Sequence, residues 1–102
     1  MIDKKKFYIN GKWVAPTNPK EIKVIDPATE KPCAIISSGD KNDIDLAVKA
    51  AKNAFSTWGF TTKEERIKLL EKLYELYKKR WADIAKAITL EMGAPKDFST
   101  KP

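Results

Sequence analysis

A chain of 102 residues, 42% apolar and 33% charged, is globular rather than disordered and short enough for at most one domain. One cysteine and no histidine exclude an internal disulfide framework and a zinc centre built from the usual ligands. The 20 Lys and Arg against 14 Asp and Glu leave a net charge of +6, yet the cations are interleaved with carboxylates rather than gathered into a nucleic-acid footprint.

In chain order, the run Lys4 to Lys6 reads as a solvated tail. No apolar stretch follows it to act as a signal peptide, and no apolar run reaches the ~20 residues of a membrane span. A cytoplasmic location is the expectation. Phe7-Tyr8-Ile9 and Lys12-Trp13-Val14 flank Asn10-Gly11, the strongest short signal for a β-hairpin, because both turn residues must accept positive φ. So short a hairpin is not stable alone and needs a surface beneath it. Ala15 to Glu21, with Pro16 and Pro19, is a loop by composition. Ile22, Val24 and Ile25, closed by Asp26-Pro27, and then Cys33 to Ile36 predict a second hairpin over Ile22 to Ser37, with Pro27 and Pro32 bracketing its turn.

Asp40 is placed to cap a helix from Lys41 to Trp58, whose apolar positions Ile44, Ala47, Val48, Ala51, Ala54, Phe55 and Trp58 keep a three-four spacing. Gly59 ends it. Thr62 and Glu65 have the spacing of a capping box. From there the positions Ile67, Leu70, Leu73, Tyr74, Tyr77, Trp81, Ile84, Ala85 and Ile88 predict one unbroken helix to Met92, closed by Gly93 and Pro95. Such a helix is about 45 Å long at roughly 1.5 Å per residue, longer than a compact domain of this size, so part of its stripe is expected to remain uncovered. Ala94 to Pro102 shows no regular pattern. The fold class expected is α+β, two short β hairpins followed by two amphipathic helices.

Little in this inventory does chemistry. A serine nucleophile has no histidine to serve as its base. Cys33 lies in a predicted strand with no histidine, no basic residue closer in sequence than Lys31 and no helix N-terminus nearby, and reads as a buried, inert thiol. Glu91, beside Leu90 and Met92 near a helix end, reads as a surface carboxylate. The glycines Gly11, Gly39, Gly59 and Gly93 stand too far apart to form a phosphate-cradling loop.

Taken together, Phe7-Tyr8-Ile9-Asn10-Gly11-Lys12-Trp13-Val14, Val24-Ile25-Asp26-Pro27-Ala28-Thr29, Asp43-Ile44-Asp45-Leu46-Ala47-Val48 with Ala50-Ala51, Ala54-Phe55 and Trp58, then Glu65-Arg66 and Thr89-Leu90-Glu91-Met92-Gly93-Ala94-Pro95, resemble the N-terminal portion of the NAD(P)-dependent aldehyde dehydrogenase superfamily. The departures are mild: Asp26 where Asn is usual, Glu30 where Gly is common, and Ala94 where Lys is frequent. The resemblance implies that residues 1–102 form the incomplete N-terminal part of a cofactor-binding domain. In the family a cysteine thiolate attacks the aldehyde, hydride passes to NAD or NADP, and a glutamate-activated water releases the carboxylic acid. All of those residues correspond to sequence downstream of this chain. It is therefore expected to bind no cofactor and to be inactive alone, with the remainder of the dehydrogenase polypeptide as its partner and a homo-oligomer as the assembled form.

One ligand role is implied within the segment. Similar enzymes hold a monovalent cation with backbone carbonyls before the Asn-Pro motif and an acidic residue near the end of the long helix, which correspond to Val24, Ile25 and Glu91. Carbonyls with one carboxylate suit potassium or sodium rather than a transition metal. The alternatives outside this family are a small helix-hairpin interaction module that uses its apolar stripe, and a basic nucleic-acid binder.

Overall fold

The computed structural model describes residues 1–100. Five strands precede four helices: β1 Ile2–Lys4, β2 Phe7–Ile9, β3 Lys12–Val14, β4 Glu21–Asp26, β5 Lys31–Ser37, α1 Lys41–Trp58, α2 Lys63–Lys79, α3 Trp81–Met92 and α4 Lys96–Ser99. They divide into two compact units, Met1–Ile25 with Pro32–Phe60, and Asp26–Lys31 with the chain from Thr61 onward.

In the first unit β2 and β3 form the hairpin expected at Asn10-Gly11, antiparallel with Ile9 opposite Lys12. Asn10 and Gly11 both have positive φ, 55° and 76°, as a two-residue turn of the primed type demands. The second hairpin, β4 with β5, lies in a three-stranded sheet of order β1-β5-β4. Its third strand corrects the reading of the N-terminus. Residues Ile2–Lys4 pair in parallel with β5, Ile2 opposite Ala34, so the Lys4 to Lys6 run is not a free tail. Lys5 is tied down as well: its ammonium lies 3.3 Å from both Asp3 and Glu21, and its carbonyl accepts a 2.6 Å bond from the Ser37 hydroxyl. Pro32 falls inside β5 rather than before it.

Helix α1 packs against β2. Its small face does so: Ala47 and Ala50 are half-buried, whereas Ile44, Val48 and Phe55 remain 61%, 59% and 67% exposed. The hairpin thus has its surface, and the bulky stripe of α1 has none within the unit.

In the second unit the expected single helix is two. Arg80 has ψ of 9° where a helix needs about −42°, and its N–H is shared between the carbonyls of Leu76 and Tyr77 at 3.2 and 3.0 Å. A new ladder starts with the Ile84 N–H on the Arg80 carbonyl. The aromatic edge contact of Tyr77 with Trp81, 5.2 Å between centroids, spans the break. The tail is also ordered further than its composition suggested. α4 lies against α3, Trp81 Nε1 donates to the Thr100 carbonyl at 2.9 Å, and the Thr89 hydroxyl donates to that of Ser99. Among the described residues the only buried apolar side chains are Ala85 and Ala94.

Candidate functional site

Val24 and Ile25 sit side by side in β4, an edge strand, with Val24 half-buried and Ile25 47% exposed. The Val24 carbonyl accepts a long bond from Cys33 Sγ at 3.5 Å. Cys33 is a half-buried strand residue, as the sequence suggested in kind though less enclosed. Glu91 belongs to the other unit, exposed in the last turn of α3. That end of the helix carries unpaired carbonyls and the negative end of the helix dipole, and no basic residue occupies its last turn. Gly93 closes it with φ of 75°, its N–H on the Thr89 carbonyl at 3.0 Å. Electrostatically the terminus favours a cation. Among the described residues no three His, Cys, Asp or Glu side chains gather as a metal cluster.

The helix N-termini point the other way. At α1 the Asp40 carboxylate accepts from the Asp43 N–H at 3.2 Å, and Asp43 returns an acceptor to the Asp40 N–H at 3.0 Å. Thr62 and Glu65 make the same reciprocal box at α2. At α1 and α2 caps and carboxylates fill the positions at which a pyrophosphate would need free amides, so these two helix starts do not fit a nicotinamide dinucleotide, and no reaction step is assigned to them.

The polar residue that sequence reasoning missed is Asp43. It is 6% exposed, and besides Asp40 it accepts both the backbone N–H and the hydroxyl of Thr17 at 2.9 Å. Asn18 adds a 2.7 Å bond to Asp40. The backbone N–H groups of Asp40, first, and Thr17 pull the Asp43 carboxyl below its ordinary value. The signal was legible: two aspartates three apart ahead of an apolar helix match the capping-box spacing. Its role is to pin the loop before β4 to the start of α1.

An extended apolar face lies on the second unit. Beyond its first turn, the charged residues of α2, Lys68, Glu71, Lys72, Glu75, Lys78 and Lys79, share one side of the helix. The other half carries Ile67, Leu69, Leu70, Leu73, Tyr74, Leu76 and Tyr77, every one between 41% and 62% exposed. It runs into a groove of about 370 Å³ lined by Tyr77, Trp81, Ile84, Ile88 and Phe98. An apolar half-cylinder is wider than the stripe a surface helix needs, and patches of this extent mark an interaction face.

The sequence signature of the aldehyde dehydrogenase family matches residues 13–101. A 3-succinoylsemialdehyde-pyridine dehydrogenase from a Pseudomonas species is 48% identical over 95 residues, which is 93% of this chain and 20% of that one. Among solved structures, an aldehyde dehydrogenase from Bartonella henselae superposes with a TM-score of 0.97 at 51% identity, covering 98% of this chain and 21% of its own. Aldehyde dehydrogenase C from Pseudomonas syringae, crystallised with NAD+ and octanal, gives 0.94 at 42% identity, over 96% and 20%. The chain spans about a fifth of the length of the relatives it matches, and its strands followed by helices match their N-terminal portion. Sequence signature, backbone and order of elements agree, and the chain belongs to the aldehyde dehydrogenase family.

Proposed function

We propose that this chain supplies the N-terminal part of the cofactor-binding domain of an NAD(P)-dependent aldehyde dehydrogenase that oxidises aldehydes to carboxylic acids. The observation that carries the reading is the superposition on the Bartonella henselae enzyme over 98% of this chain and 21% of that one. The uncovered half of α2 and the bulky stripe of α1 support it, since both are surfaces that further polypeptide would cover. In that assembly the segment is scaffold, with the catalytic thiol and the dinucleotide site contributed by the remaining sequence. The enzyme would work as a cytoplasmic homo-oligomer, and the segment by itself would turn over no aldehyde.

The test is a chimera in which this chain replaces the matching segment of the Bartonella henselae enzyme. Reduction of NAD or NADP with a panel of aldehydes is expected from the chimera and not from the 102-residue chain alone. A chimera that folds but reduces neither cofactor overturns the assignment.

We also propose that Val24 and Ile25 carbonyls and the Glu91 carboxylate contribute to a potassium or sodium site in the assembled enzyme. The unblocked negative end of α3 supports it. Potassium or sodium should raise the thermal midpoint of the chimera, and Glu91→Gln should remove that response. Equal responses in both proteins would discard the site.

A further inference from the structure

We propose that Asn10-Gly11, at the tip of the β2–β3 hairpin, is a site of spontaneous deamidation and backbone isomerisation, and that opening of the hairpin sets its rate. The reaction needs no enzyme. The Gly11 backbone nitrogen, deprotonated by hydroxide, attacks Asn10 Cγ; the new C–N bond closes a five-membered imide as the Cγ–Nδ2 bond breaks and ammonia leaves. Water then opens the ring at either carbonyl. One opening yields aspartate, and the other yields isoaspartate, in which the main chain runs through Cβ. The balance is one water consumed and one ammonia released.

Three observations single out this pair among the four asparagines of the chain. Both residues are exposed, and no hydrogen bond engages the Asn10 side chain among the described residues. A Cβ built on Gly11 would meet nothing within 4 Å beyond the flanking residues, so the turn borders open space on that side. The other three are each disqualified. Asn18 precedes Pro19, which has no N–H to lose, and its amide is bonded to Asp40 at 2.7 Å. Asn42 and Asn53 lie inside α1, followed by Asp43 and Ala54, whose amides are held by the cap and the helix ladder.

The turn both restrains and permits the reaction. Its left-handed φ angles of 55° and 76° hold the backbone in one turn conformation, and ring closure must rotate it out of that conformation. Two strands of three residues give little resistance to such opening. The products differ in their effects. Aspartate is tolerated at positive φ and leaves the register alone. Isoaspartate lengthens a two-residue loop by one backbone atom, so Ile9 no longer meets Lys12, and the Tyr8–Trp13 ring pair, 5.2 Å apart on the next rung, is pulled out of alignment.

The experiment incubates the purified chain at mildly alkaline pH beside a synthetic Phe7 to Val14 peptide, with peptide mapping, isoelectric focusing and tryptophan fluorescence over time. An acidic species is expected, its added carboxylate mapping to Asn10 as a mixture of aspartate and isoaspartate. Conversion should be several-fold slower than in the free peptide and faster at higher pH. Asn10→Gln should abolish that species, and the isoaspartate fraction alone should show altered tryptophan emission. Asn10 still intact once the peptide is fully converted, or conversion at Asn42 or Asn53 first, would overturn the proposal.

Discussion

At the start of α1 the Asp43 carboxylate accepts three hydrogen bonds, two from Thr17 and one from Asp40. Because these bonds favour the ionised form, its pKa in the folded chain lies below the ordinary value of 3.8. The stabilisation is therefore complete above the unfolded value and is lost as pH falls through the folded one. Asp43→Asn should lower the denaturation midpoint at neutral pH, with the gap to the parent closing in acid; a gap independent of pH would remove the charge from the account. A second residue-scale test concerns Gly93. A Cβ there would lie 2.8 Å from Pro27 Cγ, and φ is +75°. Gly93→Ala should cost about 1–2 kcal/mol from the left-handed backbone alone, and more from the contact. Gly11→Ala shares the positive φ but meets nothing within 4 Å, so the difference between the two variants in chemical denaturation isolates the Pro27 contact.

At the scale of elements, Thr62 and Glu65 satisfy one another's backbone at 3.1 and 3.2 Å. Thr62→Ala should remove about 1 kcal/mol of stability, measurable as a shifted urea midpoint with an unchanged slope. Caps and turns like this one were readable because a few residues at fixed spacing determine them: Asn10-Gly11, Asp40, Thr62 with Glu65, and Gly93. The break at Arg80 was not readable, because it rotates one ψ angle without a glycine or proline and leaves the three-four spacing of apolar residues on both sides in phase. β1 was hidden for a different reason. Asp3 and Lys4 look like solvated residues, and only pairing with a strand about thirty positions away makes them part of a sheet. The ends of α1 followed from Asp40 and Gly59 and the class of each larger element from periodicity, whereas the direction in which α1 turns its alanines depended on tertiary packing. The proposed cation groups came from the family resemblance, which already set Glu91 near a helix end; the structure adds the left-handed closure at Gly93.

At the scale of the whole molecule, the two units hold their shape mainly through backbone hydrogen bonds, caps and small local contacts, since Ala85 and Ala94 are the only enclosed apolar side chains described. Leu70 and Leu73, 62% and 60% exposed, already face solvent. Changing either to Glu should alter the stability of the isolated chain by no more than about 0.5 kcal/mol, while reducing its binding of an apolar fluorescent dye. A large loss of stability would mean that the chain covers this face itself. The parallel pairing of β1 with β5 puts a clock on assembly. Ile2 must wait for Ala34, and at a synthesis rate of about 5–20 residues per second that partner emerges on the order of seconds later. Until then the nascent strand has no ladder to join, and β5 has one unclaimed edge once it folds against β4. The N-terminal strand is thus the last piece of its sheet to lock, although it is the first to be made.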